Sequence, residues 1–258
     1  MTTLEAPAPV GEILRGWRER RRFSQQELSN VSAVSTRHLS RVETGKAHPT
    51  SAMLLRLADH LDVPLRARNR LLLAAGYAPR YPDHPLQDSS LASVMDGLRG
   101  LLDAHLPYPA LLLDDYWDVV DSNAAVDALL DGCAAELLEP PVNVLRLSVH
   151  PSGLAPRIEN FDQWAAHLHH QVASRAERTG DPRHQQLAAE MALHRGRESG
   201  ESQSSGPVLT MDLRAGAQVL HLFSTTAQLT TVTDAALEGL HLETFLPADE
   251  ATRRILTG

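Results

Sequence analysis

Residues 24 to 50, SQQELSNVSAVSTRHLSRVETGKAHPT, constrain the chain more than any other stretch. Ser24 followed three places later by Glu27 is a capping box, in which the serine side chain accepts from the third amide and the glutamate returns the bond. On the helix that follows, Leu28 and Val31 are expected to face inward. A turn of three or four residues leads to a second helix opened by Ser35, with Leu39 and Val42 on its inner side. Gly45 then takes the left-handed position that ends it. Two short helices joined this tightly cross steeply and cannot bury their apolar sides alone. The flanks supply the cover. Ile13, Leu14 and Trp17 give an earlier helix an apolar edge, and Thr50 or Ser51 caps a fourth that carries Met53, Leu54, Leu57, Ala58 and Leu61. A fifth follows Pro64, carries Leu65, Leu71, Leu72 and Leu73, and stops at Gly76. Residues 10 to 76 are therefore predicted to be an all-α domain of five helices.

The outer face of the second helix of the pair is polar, which suits a helix whose first turn enters the major groove of DNA. Thr36, Arg37 and His38 lie in that first turn and Arg41 one turn later. Arg37 can make the bidentate contact to guanine, and Thr36 can bond a base or touch a thymine methyl. Gln25 and Ser35, at helix N-termini, suit phosphate contact, as does Lys46 beyond the second helix. Charge agrees with this reading. In residues 1–80 Lys and Arg outnumber Asp and Glu 13 to 7, whereas in 81–258 they are outnumbered 25 to 11. A basic head on an acidic body turns one end of the chain toward a polyanion.

The pattern Ser24-Gln25-x-Glu27-Leu28, Val34-Ser35, Leu39-Ser40-Arg41-x-Glu43, Gly45-Lys46 and Pro49-Thr50 resembles the XRE (Cro and phage-repressor) family of helix-turn-helix regulators. The resemblance implies base or phosphate contacts for Gln25, Thr36, Arg37 and Arg41, and structural roles for Leu28, Val34, Leu39 and Glu43. Ala33 stands in the turn where that family often has glycine, and it carries the left-handed backbone at some cost. One short recognition helix reads few base pairs, so a homodimer on an inverted repeat of double-stranded DNA is expected.

Residues 79–88, with three prolines and few apolar side chains, are expected to be a linker between a domain at 1–78 and another at 89–258. In the second domain, Leu91 to His105 is an amphipathic helix, and Ala110–Leu113 and Asp118–Val120 are short strands around the turn Asp114-Asp115-Tyr116. Helices are expected at Asn123–Leu130, Phe161–Thr179 and from Asp181-Pro182 to about Arg195, then strands at Val208–Leu213, Gln218–Thr226 and Leu240–Leu246. GESQSSG is a flexible connection before those strands. The order predicts an α+β domain. Trp117, Trp164, Leu168 and the leucines 111–113 can line a cavity, with Arg146 or Arg175 meeting a carboxylate. Asn123 is a further candidate contact, although its place suits a helix cap better.

LLLDDYWDVVDSNAAVDALL, NVLRLSVHP, VASRAERTGDPRHQQLAAEM and FLPADEATRRIL together resemble the MmyB-like ligand-binding domain, which is PAS-like. That resemblance implies a pocket for a fatty-acyl or similarly apolar effector. GRESGESQSSG, at residues 196–206, departs from the longer tract of many relatives. A domain that dimerises or recruits a protein partner without any ligand is the alternative.

Other chemistry is poorly supported. Lys46 is the only lysine, which excludes a P-loop or a Schiff-base lysine elsewhere, and Cys133 is the only cysteine, which excludes an internal disulfide. His167, His169 and His170 lack further ligands for zinc, and no cation lies beside Cys133 to make it a redox sensor. No cofactor motif, catalytic residues or metal site is expected, and the chain is not expected to be an enzyme. The start lacks the pattern of a signal peptide and no run suits a membrane span, so a cytoplasmic protein is expected.

Overall fold

The computed structural model describes residues 8–194 and 207–258. The serine-rich connection before the last strands lies outside them. The chain forms two compact units, one holding residues up to Leu86 together with Thr231–Glu238, the other Gln87–Thr230 with Gly239–Gly258.

The N-terminal part of the first unit is built of α1 (Val10–Arg20), α2 (Gln25–Ser32), α3 (Thr36–Glu43), α4 (Ser51–His60) and α5 (Leu65–Ala74). Their starts are local chemistry. Ser24 Oγ accepts from the Glu27 amide at 3.1 Å and the Glu27 carboxylate accepts from the Ser24 amide at 2.7 Å. Ser35 caps α3 through the His38 amide, and Thr50 caps α4 through that of Met53. Ala33, at φ 53° and ψ 30°, turns the chain between α2 and α3. Leu14, Trp17, Leu28, Val34, Leu39, Val42, Leu57 and Leu61 form the core. Val31 corrects its expectation, being 50% exposed. The buried side of α2 is set by Leu28, Ser29 and Ser32, and Val31 falls about 60° round from Leu28 on the side away from Ser29 and Ser32. Gly11 lets α1 lie against the end of α3, since a Cβ there would come 2.4 Å from the Val42 carbonyl oxygen.

Residues 79–88 do not simply trail from this unit. Asn69 of α5, 9% exposed, accepts from the Arg80 and Tyr81 amides and donates to the Tyr81 carbonyl. A short helix, α11 (Ala235–Glu238), also packs on α5.

The second unit opens with α6 (Ala92–Ala104), β1 (Ala110–Leu113), β2 (Val119–Ser122) and α7 (Ala125–Leu130). It continues with α8 (Val144–Val149), α9 (Phe161–Thr179), α10 (Pro182–His194), β3 (Met211–Ala215), β4 (Gln218–Gln228), β5 (His241–Pro247) and α12 (Glu250–Thr257). The strands form one antiparallel sheet in the order β2-β1-β5-β4-β3, which agrees with the α+β, PAS-like expectation. Paired residues share a face, so Leu111 and Leu113 of β1 set Glu243 and His241 of β5 on the core side. The helix α9 is pinned at its start to β3 through Asn160, which bonds Thr210 and Asp212, and near its end to the turn after β1 by the Arg175–Asp115 ion pair. Trp117, Trp164, Leu168, Val172, Leu187, Leu213 and Phe245 lie in the core of this unit. Among the described residues no helix is long and apolar enough to cross a membrane.

Candidate DNA interface and sensor cleft

The helix α3 presents its first turn outward. Arg37, His38 and Arg41 are exposed, whereas Leu39, Val42 and Glu43 on the other side are buried. Neither the Arg37 nor the His38 side chain makes a hydrogen bond or ion pair among the described residues. Arg41 reaches the Lys46 carbonyl at 3.3 Å, which brings the guanidinium to the segment that carries the exposed Lys46 ammonium. The cations expected to meet DNA thus stand at one end of the pair α2–α3.

The other predicted contacts have partners inside the protein. The Ser35 hydroxyl accepts from the His38 amide and fixes the start of α3. Thr36 Oγ1 lies 3.1 Å from both Gln26 Oε1 and Ser29 Oγ, so it joins α3 to α2. Gln25 Nε2 donates to Glu43 at 2.8 Å and turns inward. Glu43 is the hub of that contact. Its side chain is 2% exposed and takes two parallel bonds from Arg18 of α1, at 2.7 and 2.9 Å. Arg18 was missed because it is separated from its partner by 25 residues and looks like any other member of a basic helix. Gln26 and Asn30 were missed too. They are exposed, bonded to each other at 2.8 Å, and joined to Thr36 through Gln26.

In the second unit the structure separates the predicted ligand residues. Trp117, Trp164 and Leu168 belong to the apolar core, Trp117 at φ 61° in the turn after β1. Asn123, 1% exposed, accepts from the Ala110 amide and donates to the Leu102 and Tyr108 carbonyls, so its amide joins α6 to β1. Arg175 is ion-paired with Asp115. Arg146 lies elsewhere, in a cleft of about 250 Å³ lined with Tyr116, Asn143, Arg183, Gln186 and Leu187.

That cleft is basic and ordered. Arg146 pairs with Glu190 at 2.8 Å, which raises the guanidinium pKa and lowers that of the carboxyl. Arg183 bonds Asp118 and stacks 3.9 Å above the Tyr116 ring. Asn143 caps α8 and ties Asp118 to the Tyr116 carbonyl. Tyr116 and Arg183 come together only through the fold, across 67 positions of sequence, so no local pattern announced them.

Beside the cleft His184 is fully buried between the Thr179 hydroxyl at 2.9 Å and the Asp115 carbonyl at 2.8 Å. A carbonyl only accepts, so Nε2 carries the proton and Nδ1 faces the hydroxyl. Burial, reinforced by Arg175, lowers its pKa to about 4, which keeps the ring neutral. Burial likewise pushes the Glu243 carboxyl up and the His241 imidazole down on the inner face of the sheet. The Trp164 indole N–H is buried without a hydrogen-bond partner among the described residues. Cys133 is partly buried, which raises its thiol pKa, and no group of three or more potential metal ligands occurs among the described residues.

Comparison with known proteins agrees with this division. Residues 10–71 match the model of a helix-turn-helix domain, and residues 94–257 match that of the MmyB-like transcription regulator ligand binding domain. The HTH-type transcriptional repressor RghR of Bacillus subtilis (strain 168) is 38% identical over 68 residues, 26% of this chain and 48% of RghR. MMP0678 of Methanococcus maripaludis, named for an HTH-type transcriptional regulatory role, is 36% identical over 55 residues, 21% of this chain and 17% of that protein. The chain therefore spans half or less of the length of these relatives. With a helix-turn-helix unit ahead of a second domain whose family model covers more than half of its residues, the chain belongs to the MmyB-like transcription regulators.

Proposed function

We propose that this regulator is an XRE-type protein that binds a specific duplex sequence through α3 as a homodimer on an inverted repeat, under the control of a small effector held in the second unit. The observation that carries the DNA reading is the first turn of α3, where Arg37 and His38 stand exposed without a partner among the described residues while the helix is locked from behind by Glu43 and Arg18. Preorganised donors on a rigid helix are what base-edge recognition requires.

The effector is a compound with an apolar body and one anionic end, of which a fatty-acyl chain is an example. Two observations support this. The cleft beside Arg146 and Arg183 is basic, and Leu187 on its wall also belongs to the apolar core. At about 250 Å³ it is smaller than the few hundred Å³ of an ordinary ligand pocket, so it fits the head of such a compound and the body must enter the core. Arg146 is preferred to Arg175 as the partner of the anionic end, since it lines the cleft and Arg175 does not.

Extraction and mass spectrometry of compounds copurifying with the full chain test the effector half. An amphipathic acid is expected from the wild type, with at least about tenfold less from Arg146→Ala, the worth of one charge-assisted pair. Recovery of no compound, or a yield indifferent to both Arg146→Ala and Arg183→Ala, contradicts it.

A further inference from the structure

Thr231–Glu238 folds with the first unit, yet it is the connection between β4 and β5 of the second. Its attachments are specific. Asp234, 6% exposed, bonds His84 at 2.6 Å. The Ala235 amide donates to the Pro82 carbonyl at 2.8 Å, and Ala235 and Leu237 are buried. Glu238 accepts from the Leu65 amide at 2.6 Å, across 173 positions of sequence.

The bond to Leu65 fills a need that α5 cannot meet from its own sequence. Pro64, in the N-cap place, has no side chain to cap with, and the first turn of α5 contains no acidic residue. Arg66 and Arg68 instead put positive charge where the helix dipole is already positive. Asp83 and Asp59 pair with those two arginines, and Glu238 supplies the missing acceptor for the Leu65 amide. The adjoining strands are paired up to the ends of this connection, with Gln228 opposite His241 and Thr225 bonded to Thr244 at 2.7 Å. Any change that shifts β4 against β5 therefore pulls on a segment whose far contacts set the order of α5.

We propose that Thr231–Glu238 is a coupling arm, by which the state of the β4–β5 pair reaches the DNA-binding unit through the cap of α5. This rests on the reading of the chain as an effector-controlled DNA-binding regulator. It assigns Glu238 and Asp234 as positioning residues, and by linkage DNA on the first unit must bias the β4–β5 pair in return.

Hydrogen–deuterium exchange on the full chain tests the arm without knowledge of the effector. Glu238→Ala is expected to speed exchange at the first-turn amides of α5 about tenfold, and also at residues 225–228 and 241–244, with β3 unchanged. Glu238→Gln, which keeps an acceptor oxygen, restores most of the protection. Asp234→Asn serves as a second release of the arm should Glu238→Ala unfold. Faster exchange confined to α5 reduces Glu238 to a cap and overturns the proposal, as does no change at α5. DNA affinity is measured on the same variants with a duplex selected from a random library by the wild type. An about threefold to tenfold change in Glu238→Ala that Glu238→Gln reverses is expected, and an unchanged affinity overturns the arm. If no duplex is selected at all, the DNA-binding reading fails instead, while the exchange pattern still decides whether the strands sense the cap.

Discussion

The arginines on the outer face of α3 and those of the second unit's cleft and α9 are held in opposite ways. On α3, Arg37 faces solvent without a partner among the described residues, and the Arg41 guanidinium donates to the Lys46 carbonyl rather than to a carboxylate. In the second unit, Arg146, Arg175 and Arg183 are each paired with a carboxylate, on Glu190, Asp115 and Asp118. A cation awaiting DNA gains most from a polyanion when it does not first have to break an internal pair. A cation that shapes a sensor is useful when fixed, because an anion then competes with its carboxylate and moves the element that carries it. Arg18 of α1 makes the first arrangement work, since its buried pair with Glu43 holds α3 from behind so that the front can stay free.

Removing that buried pair should give the largest effect. Glu43→Ala removes both close bonds from the buried Arg18 guanidinium and leaves it Glu19 at 3.5 Å and the Phe23 carbonyl, and we expect the first unit to lose about 3 kcal/mol in urea unfolding followed by exchange at α1 and α3. A loss below about 1 kcal/mol would mean that solvent reaches Arg18 and that the back of α3 is no more fixed than its front.

Acid sharpens the comparison next. The pKa of His184 is lowered to about 4 in the folded protein, so below the ordinary histidine value the unfolded chain takes up a proton that the native second unit refuses. The stability tied to this ring is complete above about pH 6.5 and falls as pH drops toward 4, by about 3 kcal/mol in all. His184→Gln should flatten that part of the profile. In the first unit, burial acts to raise the pKa of Asp234, but the bonds from His84 and the Ala236 amide outweigh it and hold the carboxyl below its ordinary value. Its contribution is present above the usual carboxylate range and is lost only as pH falls through that depressed value. Acidification should therefore loosen the second unit before the first, and loss of protection in α3 and α5 ahead of α9 and α10 would contradict this order.

A smaller change is expected from a cap, and the smallest from the unpartnered front. Thr50→Ala removes the bond to the Met53 amide and should cost the first unit about 1 kcal/mol, with a shift of a few degrees in the melting temperature of that unit. Arg37→Ala, on the unpartnered front, should stay within about 0.5 kcal/mol of wild type in the same measurement.

What was legible in the sequence follows the same division. The helices of the first unit are announced by local chemistry, in Ser24 with Glu27, in Ser35 and in Thr50, and each of these caps is made as expected. A cap needs only three or four residues, so it can be read without the fold. Lost to that reading were Arg18 with Glu43, Tyr116 with Arg183 and Glu238 with Leu65, pairs formed between distant positions. The α+β class was legible from the order of helices and strands. By contrast α8 and α12 are short and went unassigned from their own periodicity, although their residues lie in segments that carry the family resemblance. Among the candidate sites, Arg37, His38, Arg41 and Lys46 lie where their spacing puts them. Trp117 and Arg146 were grouped by residue type and Asn123 by its place between a strand and a helix, and the fold puts them in three different settings.

The central claim is that α3 reads sequence through its free front, and fluorescence anisotropy with a selected duplex and a scrambled one tests it most directly. With the wild type, affinity for both should fall steeply between roughly 50 and 200 mM salt. Arg37→Ala should narrow the gap between the two duplexes by about 1 to 3 kcal/mol, whereas Lys46→Ala should weaken both alike. Equal affinity of the wild type for selected and scrambled duplexes, or a gap that Arg37→Ala leaves intact, would contradict the account.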